Sequence, residues 1–229
     1  MDSRSDIHKY KGCLFGLAIG DALGAPVEFL RLKEIKARYG EKGIADLDGW
    51  RGFKAGFYTD DTQMSLATAQ GCINAYQNQK AGKPFDPVGE VYRYYLEWYA
   101  TQCDPQQRRG PGRTCLSSLR SGKMGTIAKK INNSKGCGGV MRTAPAGLAF
   151  PSDAAFRRGA EFAAITHGHP SGYLSAGFLS EMIAHIIEGK TLEEAIKRSI
   201  GTLTTYDDHQ ETLTFVQRAI TLSTSQDPV

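Results

Sequence analysis

Helical periodicity, with almost no strand pattern, is the feature of this 229-residue sequence that most limits its fold. Apolar residues recur at three- and four-residue steps in one segment after another, whereas the strict alternation typical of half-buried strands is scarce. Glycine and proline clusters separate these segments, and we find no strict repeat and no convincing interdomain linker. With 41% hydrophobic residues, the chain can bury a sizeable core as one large domain or two small ones. The pattern predicts an all-α fold, and we favour one domain over residues 1–229.

The periodic segments predict helices at 8–24, 32–39, 64–76, 86–101, 114–121, 153–165, 171–188 and 211–222, with a further capped helix that begins near Thr191. The first of them is crowded with glycine and alanine, although each glycine costs a helix about 1 kcal/mol relative to alanine. So many small residues indicate close packing against other helices or against a ligand. Glu28 follows this helix after a proline, where most single glutamates are merely exposed.

Charge and cysteine usage narrow the function classes. The net charge of +4 is interspersed, apart from three arginines in a glycine- and proline-rich loop, so nothing indicates a nucleic-acid partner. The five cysteines show neither CxxC spacing nor a preceding secretory signal, which favours free thiols in a reducing cytoplasm. Because no apolar run is long enough to cross a bilayer, we expect a soluble protein without a membrane partner.

An acidic pair stands where a glycine- and aromatic-rich segment gives way to a helical run. Carboxylates are favoured at a helix start, and Asp60 has capping-box spacing to Gln63, so a well-capped helix is one interpretation. Capping needs only one such group, however. Thr59, Asp60 and Asp61 together offer five side-chain oxygens to a hard cation such as Mg²⁺, so a metal site is the other interpretation.

Residues 135–142, KGCGGVMR, form a second stretch that could bind a ligand or take part in catalysis. Its three glycines let a backbone approach a ligand closely and aim N–H groups at phosphate, although such glycines also make ordinary turns. The spacing matches neither the dinucleotide fingerprint nor a Walker loop. Cys137 lacks a catalytic-cysteine context, so we interpret it as a small residue in a tight loop rather than a nucleophile.

A third stretch places His167 and His169 in a loop between two predicted helices. Two histidines at this spacing could bind zinc, yet no third ligand stands at a telling interval. A hydrogen bond to substrate or a contact with a helix end is the favoured alternative.

Taken together, GCLFGLAIGDALGAPVE at 12–28, YTDDT at 58–62, GCGGVMRTAP at 136–145 and THGH at 166–169 resemble the ADP-ribosylglycohydrolase family, in the family's own order. This family includes the dinitrogenase reductase-activating glycohydrolases. The resemblance covers residues 12–169, and the later helices are consistent with it. It implies an all-α, orthogonally packed fold and a binuclear site for Mg²⁺ or Mn²⁺.

The resemblance also implies roles for individual residues. Thr59, Asp60 and Asp61 match the family's first set of metal ligands, and the two aspartates share catalysis with Glu28, which matches an acidic residue acting on the substrate or its attacking water. His167 matches a histidine that lines the substrate pocket. The segment that holds the phosphates and ribose of ADP-ribose corresponds to Lys135, Gly136, Cys137, Gly138, Gly139, Val140 and Met141. Many relatives carry asparagine or another polar residue where Cys137 stands, so one substrate contact differs here.

The sequence departs from the family at its end. Relatives supply a second ligand set from an Asp-x-Asp-Ser/Thr motif near their C-terminus, and no such motif follows here. Asp207 and Asp208 lack that spacing and stand in a predicted interhelical turn. We expect the chain to be either a fragment whose remainder was lost or lies on another polypeptide, or a natural truncation, and we favour the fragment. One weakly held ion is then the expectation at the acidic pair.

The resulting functional hypothesis is metal-dependent hydrolysis of the bond between ADP-ribose and an acceptor, with ADP-ribosyl-arginine on a protein as first choice. Serine-linked ADP-ribose and small ADP-ribosyl compounds stay open. The alternative is a non-catalytic module that binds ADP-ribose or neutralises a toxin. A structural, crystallin-like role is a third possibility that the family permits.

Overall fold

The structure, a computed structural model, describes residues 6–224, so positions 1–5 and 225–229 of the predicted domain lie outside it. Within the described residues there are ten α-helices, a 3-10 turn at Val140–Arg142 and no strand. The all-α expectation is confirmed. In chain order, α1 to α10 are Ile7–Gly24, Leu32–Tyr39, Asp60–Lys80, Pro87–Thr101, Arg113–Arg120, Ala144–Ala149, Ser152–Ala164, Pro170–Ile187, Leu192–Leu203 and Gln210–Thr224.

Side-chain caps explain where several helices begin. At α9 the predicted capping box is present: the N–H of Glu194 donates to Oγ1 of Thr191 (3.2 Å), and the Glu194 carboxylate accepts the N–H of Thr191 (3.0 Å). Asp86 caps α4 by accepting the N–H of Gly89 at 2.9 Å. Each such cap stabilises its helix by about 1 kcal/mol.

Close helix approach organises the core. A Cβ on Gly159 of α7 would lie 2.1 Å from Oγ of Ser180, and one on Gly177 of α8 would lie 2.7 Å from the Phe156 ring. The backbones of α7 and α8 therefore come together at points where no side chain fits. One apolar cluster is centred on α3, α4 and α7, and a second joins α7 and α8 to α9 and α10.

The first helix contrasts with this core. Of its described side chains only Ala22 is buried, while Phe15 and Ile19 are mostly exposed. A Cβ added to any of four glycines spaced four apart would meet nothing within 4 Å: Gly12, Gly16, Gly20 and Gly24. Among the described residues, then, these four glycines of α1 face open space and not another helix. No described helix, α1 included, is long and apolar enough to cross a membrane.

Candidate functional site

The acidic pair forms the first two residues of α3. Thr59 is the N-cap, and its Oγ1 accepts the N–H of Asp61 at 3.2 Å. The expected capping box between Asp60 and Gln63 is wrong, because the Gln63 side chain instead donates to the carbonyl oxygen of Gln107 at 2.9 Å. Neither carboxylate of the pair is needed as the cap of its own helix.

A carboxylate from another helix completes the capping. Oδ2 of Asp21, in the last turn of α1, accepts the N–H of Thr59 (2.9 Å), the N–H of Thr62 (3.1 Å) and the hydroxyl of Thr62 (2.6 Å). These bonds satisfy N–H groups that a helix start leaves unpaired. Asp21 was not predicted as a site residue from the sequence. The one feature of the sequence that could have indicated it is that Asp21 is an isolated acidic residue among small and apolar residues.

Both carboxylates of the pair hold protons unusually tightly. Burial, together with the negative charge of Asp61, raises the pKa of Asp60 to about 7. Burial, together with the negative charges of Asp21 and Glu28, raises the pKa of Asp61 to about 6. Among the described residues neither carboxylate forms an ion pair with lysine or arginine. A nearby cation would therefore stabilise the ionised forms of both.

Glu28 contributes another carboxylate from the loop after α1. Burial raises its pKa, the charge of Arg51 opposes that rise, and the charge of Asp21 adds to it. The Arg51 guanidinium is itself held 4.9 Å from the centroid of the Phe29 ring. Because Glu28 is exposed, it can exchange a proton with water.

A cavity of about 580 Å³, here called the acidic cavity, joins α1, the start of α3 and the glycine-rich loop. Its volume falls within the range of small-molecule sites, about 300–1,000 Å³. It brings together five predicted site residues: Glu28, Thr59, Asp61, Cys137 and Met141. Asp21 lines it too, and so do three glycines of α1. Asp60 is only 5% exposed and does not line it, since its Oδ2 accepts the N–H of Gly112 at 3.3 Å.

Residues 136–139 form the glycine loop. A Cβ on Gly138 would lie 2.9 Å from both Sγ of Cys115 and Cε1 of His167, so only glycine fits without displacement. One on Gly139 would lie 2.7 Å from a backbone oxygen of α8. The loop is thus pressed onto the protein beneath it, and the glycines are required for that contact. Val140, the next residue, packs into the second apolar cluster.

The thiol of Cys137 is the side chain that this loop presents to the acidic cavity. Burial raises its pKa, and the charges of Asp61 and Glu28 raise it further. Reactive cysteines have lowered pKa values, because the thiolate is the nucleophile. This environment supports the interpretation of Cys137 as a small loop residue.

Lys135 is not brought to the acidic cavity. Its Nζ lies 2.6 Å from Oε1 of Glu211 in α10. Ser171 also donates to that carboxylate, so Glu211 joins α10 to the start of α8. The local sequence could not predict this ion pair, because Lys135 and Glu211 are far apart along the chain.

The two histidines have different surroundings. Nδ1 of His169 accepts the N–H of Ser171 at 3.1 Å and caps α8, so the predicted contact with a helix end is present. His167 is 1% exposed and lies beneath the glycine loop, with Nδ1 at 2.9 Å from Oγ1 of Thr166. Nothing in the structure pairs the two as zinc ligands.

The donors at the acidic pair suit one hydrated cation. No cluster of three or more histidine, cysteine, aspartate or glutamate side chains able to hold a metal occurs within residues 6–224. Magnesium is commonly held by one or two carboxylates with several waters retained. The Asp61 carboxylate, the Thr59 hydroxyl and the raised pKa values fit that arrangement, while the Asp60 carboxylate is buried outside the cavity lining. A second ion would need ligands other than those described.

Comparison with known proteins identifies the family. The family model for ADP-ribosylglycohydrolase matches residues 2–228. The chain is 33% identical over 187 residues to the ADP-ribosyl-(dinitrogen reductase) glycohydrolase of Rhodospirillum rubrum, covering 80% of this chain and 59% of that protein. It is 26% identical over 220 residues to an ADP-ribosylarginine hydrolase of Serratia proteamaculans, covering 86% of this chain and 52% of the relative.

A solved structure described as an ADP-ribosylglycohydrolase-related protein complex has a TM-score of 0.56 and 26% sequence identity. The match covers 86% of this chain and 61% of that one. The chain therefore spans only about half to six tenths of the length of these relatives. With the family model matching almost every residue and the helical fold shared, this chain belongs to the ADP-ribosylglycohydrolase family.

Proposed function

We propose that this chain carries the carboxylate-bearing part of a metal-dependent enzyme that hydrolyses the bond between ADP-ribose and an acceptor side chain. One observation carries the proposal. Asp60 and Asp61 have pKa values raised to about 7 and about 6 beside a cavity of about 580 Å³, without a compensating cation among the described residues. Perturbed carboxylates beside a cavity are typical of functional sites.

The cofactor in this proposal is Mg²⁺ or Mn²⁺. Thr59 and Asp61 would hold it from the lining of the acidic cavity, with Asp60 adjoining them. A bound divalent cation polarises the oxygens of its ligands and lowers the pKa of a bound water. The binuclear site of the family would require a second ligand set, and we assign that set to no described residue.

The chain's own residues would handle the proton and the substrate. Glu28 is exposed in the acidic cavity and its pKa is raised, which suits a group that takes a proton from water and returns it. The three glycines of the glycine loop would let its backbone approach the phosphates of ADP-ribose closely. Cys137 and Met141 would supply the adjoining contacts. No covalent enzyme nucleophile is required.

Arginine is our choice of acceptor. The Serratia proteamaculans relative is named an ADP-ribosylarginine hydrolase, which supports this choice, and an ADP-ribosylated protein is then the partner. We also propose a cytoplasmic location, supported by five free cysteine thiols.

The decisive assay offers ADP-ribosyl-arginine and ADP-ribosyl-serine peptides with Mg²⁺ or Mn²⁺. It uses the chain alone and the chain supplied with the C-terminal segment of the Rhodospirillum rubrum relative. We expect ADP-ribose to be released from the arginine peptide. No release from any peptide in either form would overturn the hydrolase proposal.

The second candidate function is a non-catalytic ADP-ribose-binding module. The lack of a three-residue metal cluster within the described chain favours it. Calorimetry with ADP-ribose, with and without Mg²⁺, separates the two functions. Metal-independent binding without turnover supports the binder, whereas turnover restored by the added segment refutes it.

A further inference from the structure

A fully buried arginine lies beneath the proposed substrate loop. Arg142 is 0% exposed, and its guanidinium lies 4.3 Å from the centroid of the Tyr95 ring. Its Nη2 donates to Oγ1 of Thr166 at 2.6 Å and to the carbonyl oxygen of Phe162 at 3.3 Å. No carboxylate of residues 6–224 forms an ion pair with it. Burying a charge without an ion-pair partner costs free energy, so the contacts that compensate Arg142 are informative about its role.

The protons in this network can be counted. Arginine only donates, so the Thr166 hydroxyl accepts from Arg142 and keeps its own hydrogen to give. Among the hydrogen bonds of the described chain, the only other partner of this hydroxyl is Nδ1 of His167, at 2.9 Å, so the buried hydrogen is satisfied only if Nδ1 accepts it. Nδ1 is therefore without a proton, and a neutral imidazole carries its proton on Nε2.

Two effects keep His167 neutral. Burial, together with the positive charge of Arg142, lowers the pKa of His167 to about 3. The ring is therefore uncharged across the physiological range.

The remaining N–H faces the glycine loop. A Cβ on Gly136 would lie 3.4 Å from Nε2 of His167, and one on Gly138 would lie 3.1 Å from it. The hydrogen bonds of the described chain include none from Nε2, although His167 is only 1% exposed. Nε2 is thus a donor without a protein partner in the described chain, next to two residues that have no side chains.

We infer that Arg142 and Thr166 are positioning residues that hold His167 as the Nε2–H tautomer, which makes it a hydrogen-bond donor to an oxygen of a ligand seated on the glycine loop. The identity of that ligand as ADP-ribose rests on the proposed function. The tautomer does not, because it follows from contacts within the ligand-free protein. In this state Nε2 can serve neither as a base nor as a metal ligand.

The tautomer can be read directly by NMR of the ¹⁵N-labelled histidine rings in the ligand-free chain, with His167→Asn used to assign the signal. We expect wild type to show neutral His167 with its proton on Nε2. Thr166→Val, which keeps the shape but loses the hydroxyl, should show a mixture of tautomers, and Thr166→Ser should restore the Nε2–H form. Thr143→Val is the matched control, since Thr143 is equally buried but bonds to Val140 and Ala176.

Calorimetry with ADP-ribose supplies a second readout. Thr166→Val should weaken binding by about fivefold to tenfold, the loss expected for one hydrogen bond, and Thr143→Val should leave it unchanged. A charged His167 or an Nδ1–H tautomer in wild type would overturn the inference. So would a Thr166→Val protein that keeps Nε2–H as its sole tautomer. The expected tautomers without ADP-ribose binding in wild type would support the positioning role and overturn the proposed function instead.

Discussion

Oδ2 of Asp21 lies 2.6 Å from the hydroxyl of Thr62, and this hydrogen bond joins the last turn of α1 to the first turn of α3. The same oxygen accepts the backbone N–H groups of Thr59 and Thr62. One carboxylate thus caps a helix that is distant in sequence. The caps of α3 come from Thr59 and Asp21, so the two acids that begin the helix are available for another role.

Replacing Asp21 tests this capping. Asp21→Ala should lower the free energy of unfolding by about 2–3 kcal/mol, because it removes three hydrogen bonds and leaves partly buried donors unpaired. The control is Asp86→Ala, which removes the single cap bond of α4 and should cost about 1 kcal/mol. Urea denaturation measures both. Equal losses in the two variants would contradict the assigned role of Asp21.

The acidic pair predicts an unusual pH dependence in the metal-free protein. The folded pKa of Asp60, about 7, is raised from an ordinary 3.8, so the folded state binds more protons between these values. Its contribution to stability is present below pH 4 and is lost as the pH rises through about 7. His167 acts oppositely, because its folded pKa of about 3 costs stability as the pH falls below 6.5.

Melting wild type and Asp60→Asn in EDTA from pH 5 to pH 8 isolates the aspartate, since His167 is common to both proteins. The melting temperature of wild type should fall relative to that of the variant as the pH rises. Parallel curves would contradict the buried, proton-holding state of Asp60.

The glycine loop predicts a contrast between two glycine-to-alanine changes. Gly138→Ala places a Cβ 2.9 Å from Cys115 and His167, and such overpacking should cost about 1–3 kcal/mol. Gly12→Ala meets nothing within 4 Å in α1 and should stabilise the protein by about 0.5–1 kcal/mol. Thermal melts check both. A neutral Gly138→Ala would mean that the loop does not rest on the histidine.

Local chemistry made most of the helices predictable. The capping box of Thr191 and Glu194, and the Asp-Pro start of α4, signal helix starts within a few residues, and both are present. α3 is longer than predicted at both ends, Asp60–Lys80 instead of 64–76, and its earlier start depends on the cap from Asp21.

The site was predictable only where its residues are neighbours in sequence. Thr59 and Asp61 are together in one motif, and Cys137 is in another, and the resemblance of these motifs to the family selected the three residues, all of which line the acidic cavity. The contact of Lys135 with Glu211 and that of Arg142 with Thr166 are set by helix packing, which no local spacing reveals. The same holds for the proton arrangement of His167.

The central claim is that Asp60 and Asp61 form a cation site and not merely a helix start. It is tested most directly by Mn²⁺ titration of wild type and the Asp60→Asn/Asp61→Asn double variant, with thermal melts of both metal-free proteins. Two negative charges beside a divalent ion should contribute more than about 1.4 kcal/mol to the free energy of Mn²⁺ binding. Because about 1.4 kcal/mol corresponds to a tenfold change in affinity, the Mn²⁺ affinity should fall by more than about tenfold.

The metal-free double variant should melt at the same temperature as wild type or higher, because the change removes two adjoining like charges from a buried site. An unchanged Mn²⁺ affinity, with a stability change of no more than about 1–2 kcal/mol, would show that the pair only begins a helix and would contradict the cation site.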